Sequence, residues 1–176
     1  GQIIISGNNV TLIDVDAYVM PEVNPVDVTA LSITAADTAT LSGVGATNGL
    51  NPDMNGVIVA RDMAAVGDIR VVNDLTVTPT NALTVTNGAE VRADSNTGYE
   101  GTLKVIAPGG IIADAGTGLR GAAVDLSGGA MTVDVITAHS SIGTLVVDAQ
   151  TLTVNGTADG GNDVSITTRD DLSLVG

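Results

Sequence analysis

A chain of 176 residues, 44% of them hydrophobic, has material for one folded domain, but without Phe, Trp or Cys its core must be built from Val, Leu, Ile and Ala. The missing cysteine excludes disulfides, thiolate metal sites and cysteine nucleophiles. Twenty acids against six bases leave a net charge of -14, which argues against nucleic acid as a partner and favours divalent cations at the surface.

Residues 1–30 carry strand-like runs at 2–6 and 10–15, then break at Pro21 and Pro25. This span is expected to cap the body of the fold or to exchange a strand with another molecule, because an open sheet edge must be covered or paired. The chain begins at Gly1-Gln2-Ile3 with no basic leader, so processing after export is the expected history. No stretch reaches the ~20 apolar residues of a membrane span.

The body, 31–176, opens with Leu31-Ser32-Ile33 and Thr40-Leu41, and a loop insertion is expected at 48–68. Within it, residues 51–62 fit the spacing of a calcium loop. Asn51, Asp53 and Asn55 supply oxygens at positions 1, 3 and 5, and Gly56 allows the sharp turn at 6. The carbonyl of Val57 would be the ligand at 7, and Asp62 closes the loop at 12, with Met63-Ala64-Ala65-Val66 starting an exiting helix. Calcium is the expected cofactor. The competing reading is a plain turn, since these residues are all turn formers. Asp94-Ser95-Asn96-Thr97-Gly98-Tyr99-Glu100 and Asp159-Gly160-Gly161-Asn162-Asp163 are further acidic turns, read as surface loops.

Ile69-Arg70-Val71 and Leu75-Thr76-Val77 lead into a repeat. Apolar-polar-apolar segments begin at Leu83, Leu103, Val124, Leu145 and Val164, spaced by 20, 21, 21 and 19 residues. A second apolar position follows each at an offset of 7 or 8: Val91, Ile111, Met131, Leu152 and Leu172. Turn formers such as Asn87-Gly88 and Pro108-Gly109-Gly110 separate them. The pattern predicts an all-β fold, a parallel β-solenoid (β-helix) with coils of about 20 residues, in which thin aliphatic layers stack without aromatics. An antiparallel β-sandwich is the alternative.

From 73 to 176 this Gly/Asn-punctuated pattern resembles the β-helical passenger regions of autotransporters and filamentous haemagglutinin-type adhesins. That resemblance implies a surface-displayed or shed fibrous protein and transfers no functional residue. The stretch 51–62 resembles the loop of a dockerin-type calcium repeat, although Asn51 stands where an Asp is usual and only one copy is present, so no cohesin partner is implied.

Catalytic constellations are weak. Asp14 with Asp16 could share a strand face, Asp170 with Asp171 could not, and seventeen Asp make such pairs common. His139 beside Ser140 and Ser141 lacks a nucleophile elbow, and the six bases form no cluster in sequence. The expectation is therefore a non-enzymatic, secreted structural protein, extracellular or at the cell surface. It would pair with copies of itself through its termini into a filament or surface layer, assisted by calcium. The alternative is an adhesin or carbohydrate-binding module of a larger passenger, with surface carbohydrate as partner.

Overall fold

The computed structural model describes residues 2–19, 28–49, 54–93 and 101–175, and these contain strands and no helix. The strands are β1 (Ile3–Gly7), β2 (Val10–Val19), β3 (Val28–Ala35), β4 (Thr38–Gly49), β5 (Met54–Ala60) and β6 (Asp62–Ala65). Then come β7 (Ile69–Val71), β8 (Leu75–Pro79), β9 (Ala82–Val85), β10 (Glu90–Ala93), β11 (Thr102–Ala107) and β12 (Gly110–Ala113). The chain finishes with β13 (Gly118–Gly121), β14 (Ala123–Ala138), β15 (Thr144–Gly160), β16 (Asp163–Thr168) and β17 (Leu172–Leu174). The alternation that identifies them is plain in β5, where Met54, Gly56, Ile58 and Ala60 are buried and the residues between them are half-exposed.

Every pairing among the described strands is parallel. Partnered residues form three sets of inward rows. The first contains Ile3, Leu31, Gly56, Leu75, Leu103, Val124, Leu145 and Val164. Two residues on, Ile5, Ile33, Ile58, Val77, Val105, Leu126, Val147 and Ile166 form a parallel row. A second set stacks Val10, Ala39, Met63, Leu83, Ile111, Met131, Leu152 and Leu172. The third joins Val15, Val44, Ile69, Val91, Leu119, Ile136 and Ala158. Side chains in the middle of these rows are sealed: Leu31, Ile33, Leu75, Leu103 and Ile111 are fully buried. Neighbouring strands lie ~4.8 Å apart, so each aliphatic side chain meets its like above and below, and small residues suffice to fill the space.

The expected β-solenoid of 20-residue coils is corrected by the pairing. Eight strands, β4-β6-β9-β12-β14-β13-β10-β7 and back to β4, close a ring of parallel hydrogen bonding, an eight-stranded parallel β-barrel with the other strands outside it. The ring closes because β4 and β14 are long and each serves both arms by different segments. Thr38 to Leu41 meet β6 while Val44 to Ala46 meet β7, and Met131 meets β12 while Val135 to Ala138 meet β13. The antiparallel sandwich fails as well, since all described pairings are parallel.

One corner shows how local conformation permits the bend. Asp14 and Gly43 stand between residues paired on either side, Ile13 with Ser42 and Val15 with Val44, and both have positive φ, 53° and 60°. Glycine takes this conformation without steric cost and Asp tolerates it, so β2 and β4 turn together from the second set of rows to the third.

Candidate functional site: two uncovered strand edges

The residues singled out for calcium are placed as follows. Asn51 and Asp53 lie outside the described residues. Asn55 and Val57 belong to β5, whose neighbours are β3 on one side and β8 on the other. The Asn55 Oδ1 accepts from Asn73 Nδ2 at 2.9 Å and from the Asp74 N–H at 3.1 Å, tying two rungs together. Asp62 sits on the next strand, and its carboxylate accepts from Arg61 Nε at 3.0 Å and from Asn81 Nδ2 at 2.6 Å. These two bonds hold the Asp62 carboxyl below its ordinary range, the Arg61 bond contributing most. Arg61 is raised in return, by its bond to Asp62 first and by Asp37 at 2.6 Å second. Asn55 and Asp62 thus spend their acceptors on separate partners, and among the described residues no three or more acidic, His or Cys groups gather as metal ligands. Residues expected to start an exiting helix form strand β6 instead, because Met63 and Ala65 face inward in strand alternation.

The bases that sequence spacing left scattered are partly brought together. Arg70, Arg92 and Arg120 occupy consecutive rungs on the outer face of β7, β10 and β13. Glu90 sits against two of them, with Arg120 Nε 2.8 Å and Arg92 Nη1 3.1 Å from its carboxylate. Their separations in sequence, 22 and 28 residues, match no single repeat length, so no periodicity search would have aligned them. Lys104 faces Asp125 and Arg169 faces Asp148, each across one rung, so positive charge is balanced locally.

Beside Arg70 lies a shallow groove of about 250 Å³ lined by Asp16, Gly43, Val44, Gly45, Thr47 and Asp68. Asp16 is already engaged there, accepting from the Thr47 N–H and Oγ1, both at 2.9 Å. Of the other acid-base candidates, Ser140 is buried and accepts from the Ile142 N–H at 3.3 Å, and Asp170 accepts from Gln150. The 94–100 acidic turn is outside the described residues.

The chemically unspent groups are at the two ends of the rows. Among the described strands, β16 and β17 pair only with β15, while β1 pairs only with β3 and β2 only with β4. Val164, Leu172 and Leu174 point inward, as their partners Leu145, Leu152 and Val154 do, yet they are 52%, 49% and 59% exposed against 0–1% for those partners. Among the described residues no strand lies beyond them, and this leaves them open. The end is nonetheless firmly seated on its inner side: Arg169 Nη2 reaches Asp148 at 2.9 Å, and the N–H groups of Arg169, Asp170 and Val175 donate to Ala149, Gln150 and Val154. At the opposite end Ile3, Ile5 and Leu12 are partly buried against the core, and Val10, at 6% exposure, is already covered. Both edges therefore present unpaired backbone donors and acceptors beside a strip of aliphatic side chains, the arrangement that templates another strand.

Compared with protein-family models, curated proteins and solved structures, the chain matches none.

Proposed function

We propose that this chain is an extracellular structural protein that associates with copies of itself into a filament or surface layer. The observation that carries the proposal is the uncovered aliphatic strip at Val164, Leu172 and Leu174, whose row partners one rung below are sealed. Covering it recovers roughly half of the ~1.5–3 kcal/mol that each fully buried Val or Leu contributes. Backbone pairing along two strands adds to this. Set against an association cost of about 4–15 kcal/mol, this supports assembly that is reversible and concentration-dependent rather than obligate.

Charge shapes the same reading. Copies that each carry -14 repel at a distance, so added salt or millimolar calcium screens that repulsion and favours assembly. Charge at the edges is uneven: β1 and β17 hold no charged residue and β16 holds only Asp163, whereas β2 carries Asp14 and Asp16.

Analytical ultracentrifugation over a wide concentration range, with negative-stain electron microscopy in low and high salt, tests the proposal. Higher oligomers or fibres that grow with concentration and salt support it. A monodisperse monomer under every condition removes it.

A second reading, a carbohydrate-binding adhesive module, is favoured by the glycine-floored groove at Asp16, Thr47, Asp68 and Arg70, which offers hydrogen-bonding groups without bulk. Glycan-array binding lost on Arg70→Ala would support it.

A further inference from the structure

We propose that the cover of the β16/β17 end is the β1/β2 end of a second copy, joined parallel and in a single register: Ile3 on Val164, Ile5 on Ile166, Val10 on Leu172 and Leu12 on Leu174. This inference rests on the self-association reading and specifies its geometry.

The rows dictate the match. β1 and β16 are the first and last strands of one ladder, and β2 and β17 are the first and last of another. A strand inside a parallel ladder bonds to the strand before it with one set of backbone groups and to the strand after it with the complementary set. The free edge of β16 therefore presents the set that the free edge of β1 lacks, and the same holds for β17 and β2. Two like ends brought face to face would not offer this complementarity in parallel.

Spacing permits both ladders to seat at once. Seven residues separate Ile3 from Val10 and eight separate Val164 from Leu172. Within the fold the same two separations already face each other: Leu145 to Leu152 is seven, and these residues pair with Val164 and Leu172. The outward residues at the joint are compatible too, with Ile4 beside Ser165, Ser6 beside Thr167 and Thr11 beside Ser173, so no like charges oppose one another. The third set of rows takes no part. It ends at Ala158, paired with Ile136 on β14, and no strand of this set stands level with β16 and β17. Asp159 is thereby kept a rung away from Asp16 of the next copy, which sits on the corresponding outer position.

The absence of cysteine makes the register directly testable. Two single variants, Ile3→Cys and Val164→Cys, are mixed and oxidised mildly. Facing residues on neighbouring strands are ~4.8 Å apart, within the Cα separation a disulfide spans. Within one copy, β1 and β16 are seven rungs apart, about 34 Å, so only a joint between copies can cross-link them. The mixture is expected to yield covalent heterodimer at least ~10-fold above the Ile4→Cys with Val164→Cys mixture, because residue 4 faces outward. Circular dichroism confirms that each variant keeps the wild-type strand signal, and Leu12→Cys with Leu174→Cys, both accessible in the single copy, provides the independent second pair.

Val164→Cys homodimers would overturn the inference in favour of end-to-end contact between like ends. Assembly by ultracentrifugation without register-specific cross-linking in either pair would also overturn it, while leaving self-association standing. No assembly at all would remove both.

Discussion

Truncating one isoleucine in the middle of a row and another at its end should have very different costs. Ile58 is 1% exposed and lies between Ile33 and Val77, whereas Ile5, in the same row, has Ile33 on one side and no strand on the other. Ile58→Ala removes three carbons, about 2.4 kcal/mol of transfer energy at ~0.8 kcal/mol each. The cavity adds to this, because two sealed neighbours cannot collapse into it, and the total should reach about 3–4 kcal/mol. Ile5→Ala loses about half the transfer term and leaves a notch open to water, so about 1 kcal/mol is expected. Urea unfolding followed by far-UV circular dichroism at low micromolar concentration, where the end is free, measures both. The m-value should stay unchanged while the midpoint shifts. Equal losses for the two variants, or less than about 1 kcal/mol for Ile58→Ala, would refute the sealed-row account of the core. Repeating the series at high concentration adds a check, since the cost of Ile5→Ala should rise once assembly covers it.

Gly110 has φ 112°, and a Cβ there would run into the carbonyl oxygen of Ala130, so Gly110→Ala should cost about 2–4 kcal/mol. Gly116→Ala, with φ 82° but open space around it, should cost only about 1 kcal/mol; the gap between their melting temperatures tests backbone contact against conformation. Glu90→Gln should lower stability by about 0.5–1 kcal/mol by loosening Arg92 and Arg120, and 1 M NaCl should shrink that difference in thermal melts. Asp62 is more acidic in the fold than in the unfolded chain, so its stabilising share is complete above the ordinary carboxylate range and disappears as pH falls through its depressed value. The stability gap between wild type and Asp62→Asn should therefore be widest near neutrality and close in acid, as read by urea midpoints across pH.

Part of this architecture is legible in the residues alone. Leu103, Val124, Leu145 and Val164 do stack, as do Ile111, Met131, Leu152 and Leu172, because intervals near 20 residues bring the same inward position round again. The interval does not extend to Leu83 and Val91. Leu75, not Leu83, is the partner of Leu103, and Leu83 meets Ile111, because packing and not interval chooses the partner. Val91 belongs to the third set of rows with Ile69 and Leu119, a set whose short strands β7, β10 and β13 carry too few apolar residues to announce themselves. Closure of the ring depends on β4 and β14 bending to serve two neighbours each, and although Asp is a type that tolerates the left-handed turn, seventeen of them leave Asp14 unmarked. The end strands were legible as apolar segments, but their exposure was not, since exposure depends on what lies beyond the last rung.

The placement of β1 and β17 at opposite ends of the rows has a mechanical corollary. Tension applied through the two ends would load the outermost strand first and draw its hydrogen bonds apart one after another, as a zipper opens, instead of shearing all of them together. The strands outside the closed ring yield first, one after another, and pay out chain in increments of 19–28 residues, the interval between paired positions. Each released length dissipates work while the rungs behind it remain folded. A fibre made of these units would stretch progressively under load and recover when the load is removed.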